Sequence, residues 1–233
     1  MTVLIAEKSL LSAEAIKVQE KLAIFLAFVA GYIDATGLIK WKTYVSFMSG
    51  NTTQLGAAFS NEKFGIIITS VTVIGSFLIG IYAGTCLSLW KKCRIKVIAF
   101  YIVAGILMFY TFINYYCQVS VIPSVAVIGF AMGIMNTIVT SVGNLKVNTD
   151  FVTGTLNSLA RNTAIFTMSN DENEKKESKA NAIHLLLLWV GFVSGAFTSP
   201  FLINLLGKWT LLIPAVLLLT CSRLISNSLT PKK

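Results

Sequence analysis

The sequence predicts an all-α integral membrane protein with six transmembrane helices and two re-entrant half-helix segments, arranged as an inverted repeat of three helices plus three. Three observations predict it: the apolar composition, the placement of Lys and Arg, and motifs that occur twice. Of 233 residues, 55% are hydrophobic and 12% charged, with a mean hydropathy of +0.74. Soluble domains carry about 25% charged residues, and a soluble chain of this size could not bury so much apolar surface.

Six apolar runs are long enough, at about twenty residues, to cross a bilayer. They lie at 22–39, 64–89, 97–117, 121–143, 182–206 and 209–228. Residues 1–21 mix Glu and Lys and lack the basic start and short apolar block of a signal peptide, so we expect a cytoplasmic N-terminal segment. Residues 22–228 then form one membrane domain, within which the polar stretch 169–181 is expected to be a cytoplasmic loop.

Two further stretches, 44–60 and 150–168, are semi-apolar and rich in Ser, Thr, Asn and Gly. If neither crosses the membrane and the N-terminus is cytoplasmic, 15 of the 19 Lys and Arg residues fall on the cytoplasmic side. If both cross, giving eight spans, either the basic cluster at 91–96 or both chain ends fall outside. The charge distribution therefore predicts six spans, two re-entrant segments and both termini in the cytoplasm.

Three pairs of segments recur in the same order along the chain, at offsets of 102, 104 and 115 residues. They are 28–34 with 130–136, 47–56 with 151–160, and, more loosely, 76–80 with 191–195. The repeat halves are about 22–117 and 121–228. Each half contains three spans, an odd number, so the second half is predicted to be inverted relative to the first. The first polar segment would then enter from outside and the second from the cytoplasm.

The stretches G-Y-I-D-A-T-G at 31–37 and S-F-M-S-G-N-T-T-Q-L-G at 46–56 resemble the hallmark of the YoaK family (domain of unknown function 1275). The resemblance runs over nearly the whole chain, from about Leu22 to the last span. It implies a multi-pass protein of the bacterial cytoplasmic (inner) membrane. It implies no substrate or reaction, so the function has to come from the residues.

The candidate site lies between polar segments 46–56 and 150–160. A break at Gly50 or Gly154 would start a half-helix whose free N–H groups and partial positive charge point into the protein. Two such half-helices, entering from opposite faces, would converge on one site near the membrane midplane for a small polar or anionic solute. The expected caps are Asn51, Thr52 and Thr53 in the first segment and Thr155 and Asn157 in the second. The full set of candidate binding residues is Asp34, Ser49, Gly50, Asn51, Thr52, Thr53, Asn136, Thr153, Gly154, Thr155 and Asn157.

Asp34 is the only acidic residue well inside a predicted span. An acidic side chain there costs about 2.5–3.5 kcal/mol on insertion scales, and such residues are usually functional. We expect Asp34 to stay protonated, to accept hydrogen bonds from residues 49–53, or to bind a cation. Its repeat mate Asn136 does not titrate, so proton uptake at Asp34 could couple to solute movement. In the alternative, Asp34 lies near the outer interface against water or Lys40.

These features predict a small secondary transporter or facilitator. The alternative is a non-transport membrane scaffold or sensor whose polar centre serves helix packing, since small and hydroxyl residues also pack membrane helices. The sequence has no Walker loop, no G-x-S-x-G, no H-E-x-x-H and no Cys/His metal spacing. We therefore expect no enzyme activity, catalytic residue, metal or cofactor.

The net charge of +9 sits mostly in short breaks between apolar runs, so no nucleic-acid partner is expected. The expected partners are the lipid bilayer and a small polar solute or ion. The chain is short for a rocking transporter that acts as a monomer, and a homodimer is an arrangement that the sequence leaves open.

Overall fold

The structure, a computed structural model, describes residues 2–90, 95–138, 141–142, 145–146 and 152–229. The basic residues 91–94 and the start of the second polar segment, 150–151, lie outside this part. The described elements, in chain order, are helices α1 (Thr2–Trp41), α2 (Met48–Ser60), α3 (Phe64–Trp90), α4 (Ile95–Cys117) and α5 (Val121–Met135), strands β1 (Ser141–Val142) and β2 (Leu145–Lys146), helices α6 (Val152–Met168) and α7 (Glu172–Leu206), a 3₁₀ turn at Gly207–Trp209, and helix α8 (Leu212–Leu229).

The expectation of a helical, membrane-spanning architecture is confirmed at the level of the elements. Four described segments are long and apolar enough to cross a membrane. They are Ile16–Trp41, Phe64–Leu89, Ile98–Cys117 and Glu172–Trp209. Two more apolar helices, Val121–Met135 and Leu212–Arg223, are shorter. They lie within the fourth and sixth predicted spans.

The fourth predicted span, 121–143, is too long, because α5 ends at Met135. The backbone N–H groups of Thr137 and Ile138 donate to the Ile134 and Met135 carbonyls, three residues back, at 3.0 and 3.1 Å, so the helix closes in a tighter turn. An antiparallel hairpin of β1 and β2 follows, with Ser141 paired to Lys146. The sequence pattern did not predict this hairpin.

The predicted loop at 169–181 is mostly helical, because α7 already begins at Glu172. Asp171 caps the helix, and its Oδ1 accepts a hydrogen bond from the Asn173 N–H at 2.9 Å. Acidic residues in the first turn, Glu172 and Glu174, further stabilise the positive end of the helix. Charge and polarity identified a solvated stretch here, but they did not reveal that it extends the helix.

Helices α1 and α7 pack against each other in parallel through glycines. A Cβ added at Gly195 would collide with the carbonyl oxygen of Phe28, and one added at Gly31 would collide with that of Phe192. Thr36 and Ser199 are joined by a hydroxyl–hydroxyl hydrogen bond of 2.8 Å further along the same interface. Small residues let membrane helices approach closely enough for such backbone contacts.

Helices α3 and α5 pack in the same way. A Cβ at Gly80 would collide with the Phe130 carbonyl oxygen, and one at Gly133 would collide with that of Phe77. These four positions repeat the ones that join α1 to α7. Gly80 and Phe77 correspond to Gly195 and Phe192 at an offset of 115 residues, and Phe130 and Gly133 correspond to Phe28 and Gly31 at an offset of 102. Each close pair therefore joins one helix of the first half to one helix of the second.

Several helix ends meet at one end of the bundle. The rings of Trp41, at the end of α1, and Tyr110, late in α4, have centroids 6.1 Å apart. Tyr115, in the last turn of α4, lies 4.7 Å from Trp209, just before α8. Helices α1 and α4 therefore end where α8 begins, so α4 and α8 are antiparallel. The start of α1 and the end of α8 lie toward the opposite end.

We predict that Gly195→Ala and Gly80→Ala each lower the free energy of unfolding by about 2 kcal/mol, because the added methyl group separates two closely packed backbones. Gly75→Ala is the matched control, since a Cβ at Gly75 meets no atom of the described residues within 4 Å. Thermal unfolding of the detergent-purified proteins measures all three. Equal melting temperatures for the three variants would contradict this packing.

Candidate functional site

The connector between α1 and α2, residues 42–47, turns back along α1. Lys42 has a left-handed backbone with φ of 58°, which reverses the chain directly after the helix. The Thr43 carbonyl and the Val45 side chain then lie against Gly37, where a Cβ would come within 3.0 Å of both. The connector therefore lies against the last two turns of α1 before α2 begins.

Asp34 holds the connector in place. Its Oδ1 accepts hydrogen bonds from the backbone N–H groups of Val45, at 2.7 Å, and Ser46, at 2.8 Å. Its Oδ2 accepts the Ser46 hydroxyl at 2.9 Å. Asp34 is only 4% exposed, and a buried carboxylate needs such donors to offset the loss of water.

The donors to Asp34 differ from those predicted. The sequence assigned them to residues 49–53, but the chain reverses so soon after Trp41 that Val45 and Ser46 reach the carboxylate first. The alternative contact with Lys40 is also wrong. The Lys40 Nζ instead donates to the Gly207 carbonyl at 2.7 Å.

Helix α2 starts directly after the connector, without a side-chain cap at Phe47. The hydroxyls of Thr52 and Thr53 donate to the carbonyls of Met48 and Ser49 within their own helix, at 2.8 and 3.0 Å. The prediction that these threonines cap the half-helix is therefore wrong. Because Asp34 binds N–H groups just before α2, its carboxylate lies where an anion would be stabilised by the helix end.

Asn51 and Gly50 fasten the first turn of α2 to the connector. Asn51 is fully buried, and its Nδ2 donates to the Tyr44 carbonyl at 2.8 Å. Asn51 therefore binds the connector and does not cap the helix. Gly50 lies beneath the Tyr44 and Phe47 rings, which pack edge to face at 5.3 Å, and a Cβ there would collide with Phe47. On the other side of the helix, Ser49 is exposed with both threonines.

The second polar segment forms α6, which packs along α7 and has no fully buried residue. Thr153 and Asn157 are exposed, whereas Gly154 and Thr155 are half-buried. Thr155 and Asn157 are the fourth and sixth residues of the helix, so they lie within it and do not cap its start.

Asn136, the repeat mate of Asp34, directly follows the last residue of α5. Its Oδ1 is buried and has no hydrogen-bond partner within the described part of the chain. In contrast, α1 continues for seven residues beyond Asp34. The two repeat mates therefore differ in local structure as well as in charge.

The structure brings Asp34 together with the start of α2, through the connector. Because α2 packs on α3 and α6 packs on α7, the meeting of both polar segments at one site stays a prediction. Sequence reasoning missed the donors Val45 and Ser46. Ser46 is the first residue of the polar segment 46–56, but Val45 and Ser46 donate through backbone N–H groups, which no residue type marks in a sequence.

Comparison with known proteins identifies relatives along most of the chain. The profile of a family described as "Protein of unknown function (DUF1275)" matches residues 22–224. The UPF0700 transmembrane protein YoaK of Bacillus subtilis (strain 168) is 24% identical over 185 residues, which cover 75% of this chain and 81% of the relative. The UPF0700 transmembrane protein RA0705 of Rhizobium meliloti (strain 1021) is 28% identical over 199 residues, covering 84% and 82%. No solved structure matches the chain.

We predict a graded loss of stability when the Asp34 contacts are removed. Asp34→Ala leaves two buried backbone N–H groups without an acceptor and should lower the free energy of unfolding by about 3 kcal/mol. Asp34→Asn keeps an acceptor oxygen and should fall between wild type and alanine. Ser46→Ala removes one hydrogen bond and should cost about 1 kcal/mol. Thermal unfolding in detergent measures the order of stability of the variants. An Asp34→Ala protein as stable as wild type would contradict the role of Asp34 in holding the connector.

Proposed function

The chain belongs to the DUF1275 family, whose relatives above are named transmembrane proteins, and we propose that it is a small secondary transporter or facilitator for a small polar solute. The resemblance to the YoaK family that the motifs predicted is confirmed. A membrane protein is thereby established, and the transport activity is our proposal.

The observation that carries this proposal is the exposed polar face of α2. The helix starts beside Asp34, which lies seven residues, or about 10 Å along the helix axis, before the end of α1. Ser49, Thr52 and Thr53 are exposed there. Polar groups at membrane depth are tolerated where they face protein or a water-filled cavity. The arrangement thus favours a re-entrant α2 that lines an aqueous path.

The end contacts support six spans over eight. Since α4 and α8 are antiparallel, they must cross in opposite directions. Six spans with two re-entrant segments satisfy this requirement, whereas eight spans would orient α4 and α8 the same way. Six spans also put both chain ends on one side, which the charge distribution makes the cytoplasmic side.

The repeated glycine contacts support an inverted repeat and define two bodies that could move. One body contains α1, α7 and α6, and the other contains α3, α5 and α2. Each includes helices from both halves of the sequence. We propose that rocking one body against the other exposes the path alternately to each side.

The chemistry near Asp34 narrows the proposed solute. A carboxylate already occupies the positive end of α2, so a neutral or cationic polar solute fits this end better than an anion. The finer proposal of proton coupling also involves Asp34. A proton taken up there would remove the charge that holds Val45 and Ser46, and would loosen the connector.

The alternative function is a membrane scaffold or sensor whose polar centre serves packing. Its support is that the Thr52 and Thr53 hydroxyls are satisfied within their own helix, as in ordinary helix packing. The two functions predict different results, because no small solute should stabilise a scaffold or sensor or be carried across the membrane by it.

The test of transport is a thermal-shift screen of purified protein against small polar metabolites, followed by uptake of the stabilising solute into proteoliposomes. We expect Thr53→Leu to lower uptake by about tenfold, because an apolar side chain would dewet the path, with an unchanged melting temperature. Thr220→Leu is the matched control, since Thr220 is also exposed and bonds only to its own helix, on α8.

Equal uptake by both variants would exclude the α2 face as the path. If no solute in the screen raised the melting temperature and none entered the liposomes, the scaffold would replace the transporter.

A further inference from the structure

Three buried side-chain oxygens on α2 and α3 have no hydrogen-bond partner within the described residues. They are Asn51 Oδ1, Gln54 Oε1 and Ser70 Oγ. Asn51 and Ser70 are fully buried, and a buried oxygen without a donor or cation destabilises the protein. We propose that these three oxygens bind one monovalent cation between α2 and α3.

The helix register places the three residues within about one turn of each other along the α2–α3 pair. Asn51 and Gln54 are three residues apart, so they lie on one face of α2, and the buried Ala58 continues that face one turn on. Helix α2 packs on α3 across a three-residue connection at 61–63, so the two helices are antiparallel. Gln54 lies eight residues before Glu62 and Ser70 eight residues after it. The two residues are therefore at the same height.

The orientation of the Asn51 amide is fixed. Its Nδ2 donates to the Tyr44 carbonyl at 2.8 Å. A flipped amide would place two oxygens against each other, because the Tyr44 carbonyl can only accept. The Asn51 carbonyl oxygen is thus held on the side of the amide away from the Tyr44 carbonyl, where it is buried.

Ser70 differs from most hydroxyl residues of the described helices. Its neighbour Thr69 donates to the Gly65 carbonyl at 3.0 Å, one turn back, and Thr111 donates to the Leu107 carbonyl at 2.7 Å. Such a back-bond is the usual solution for a buried hydroxyl in a helix. Ser70 makes none within the described residues, so its lone pairs are free for another ligand.

The composition of the site selects its ligand. Two amide oxygens and one hydroxyl oxygen offer lone pairs, which repel an anion and match the hard oxygen ligands that replace the hydration shell of a small cation. Divalent cations favour carboxylate ligands, and none of the three residues has one. The connector that holds Asn51 also binds the Asp34 carboxylate, which places a negative charge nearby.

Cation binding does not require that the protein transports. If the proposed transport function holds, the cation is its coupling ion. If transport fails, the site remains as a structural ion site, and an equilibrium binding measurement in detergent tests it in either case.

The test compares melting temperatures of the purified protein in sodium, potassium, ammonium and choline chloride at equal ionic strength. Choline is too large for a site between two packed helices. We expect one of the three small cations to raise the melting temperature by about 3 °C over choline, with saturation. Gln54→Leu and Ser70→Ala should each abolish the increase and fold normally in choline, because both replace an unpaired oxygen with apolar atoms.

Ser60→Ala is the control and should keep the cation response, since Ser60 is exposed on α2 and its hydroxyl donates to the Ala57 carbonyl of the same helix. The same melting temperature in all four salts would overturn the proposal, and would fit a bridging water molecule at the three oxygens. A cation response that persisted in both Gln54→Leu and Ser70→Ala would overturn it equally.

Discussion

The hydrogen bonds of the Asp34 carboxylate organise the first polar segment. A carboxyl group buried inside a membrane protein needs hydrogen-bond donors around it, and here the connector supplies three. Because two of them are backbone N–H groups, the carboxylate fixes the path of the chain and not just one side chain. The same connector carries the Tyr44 carbonyl that accepts from Asn51, and it leads directly into α2, whose polar face is exposed.

The glycine contacts supply the second constraint. Within a bilayer, helices gain little from hiding apolar surface, so close van der Waals packing has to hold them together. The contacts of Gly31 and Gly195 join α1 to α7, and those of Gly80 and Gly133 join α3 to α5. Since α2 packs on the second pair while its connector is bound to α1, Asp34 links the two bodies. A change at that carboxylate would therefore alter both the position of α2 and the contact between the bodies.

Much of the fold could be predicted from sequence, because apolar runs and repeated motifs directly reflect the helices and the contacts between them. The run at 64–89 nearly coincides with α3, and the repeated F-x-x-G motifs contain the residues of both tight contacts. The rest depends on features with no residue signature. The end of α5 at Met135 depends on local bonds of Asn136 and Thr137 within an apolar run. The Asp34 donors are backbone groups, and their arrival depends on a chain reversal at Lys42. Sequence identified Asp34 and the polar segment, but the connector joins them differently than expected.

Hydrogen–deuterium exchange of the connector amides tests the central claim most directly. If the Asp34 carboxylate holds Val45 and Ser46, their N–H groups should exchange slowly in the wild-type protein and quickly in Asp34→Ala. Peptides from α3 should exchange equally in both proteins. Connector amides that exchanged in the wild type as fast as those of the exposed turn at 61–63, or at the same rate with and without the carboxylate, would contradict the account.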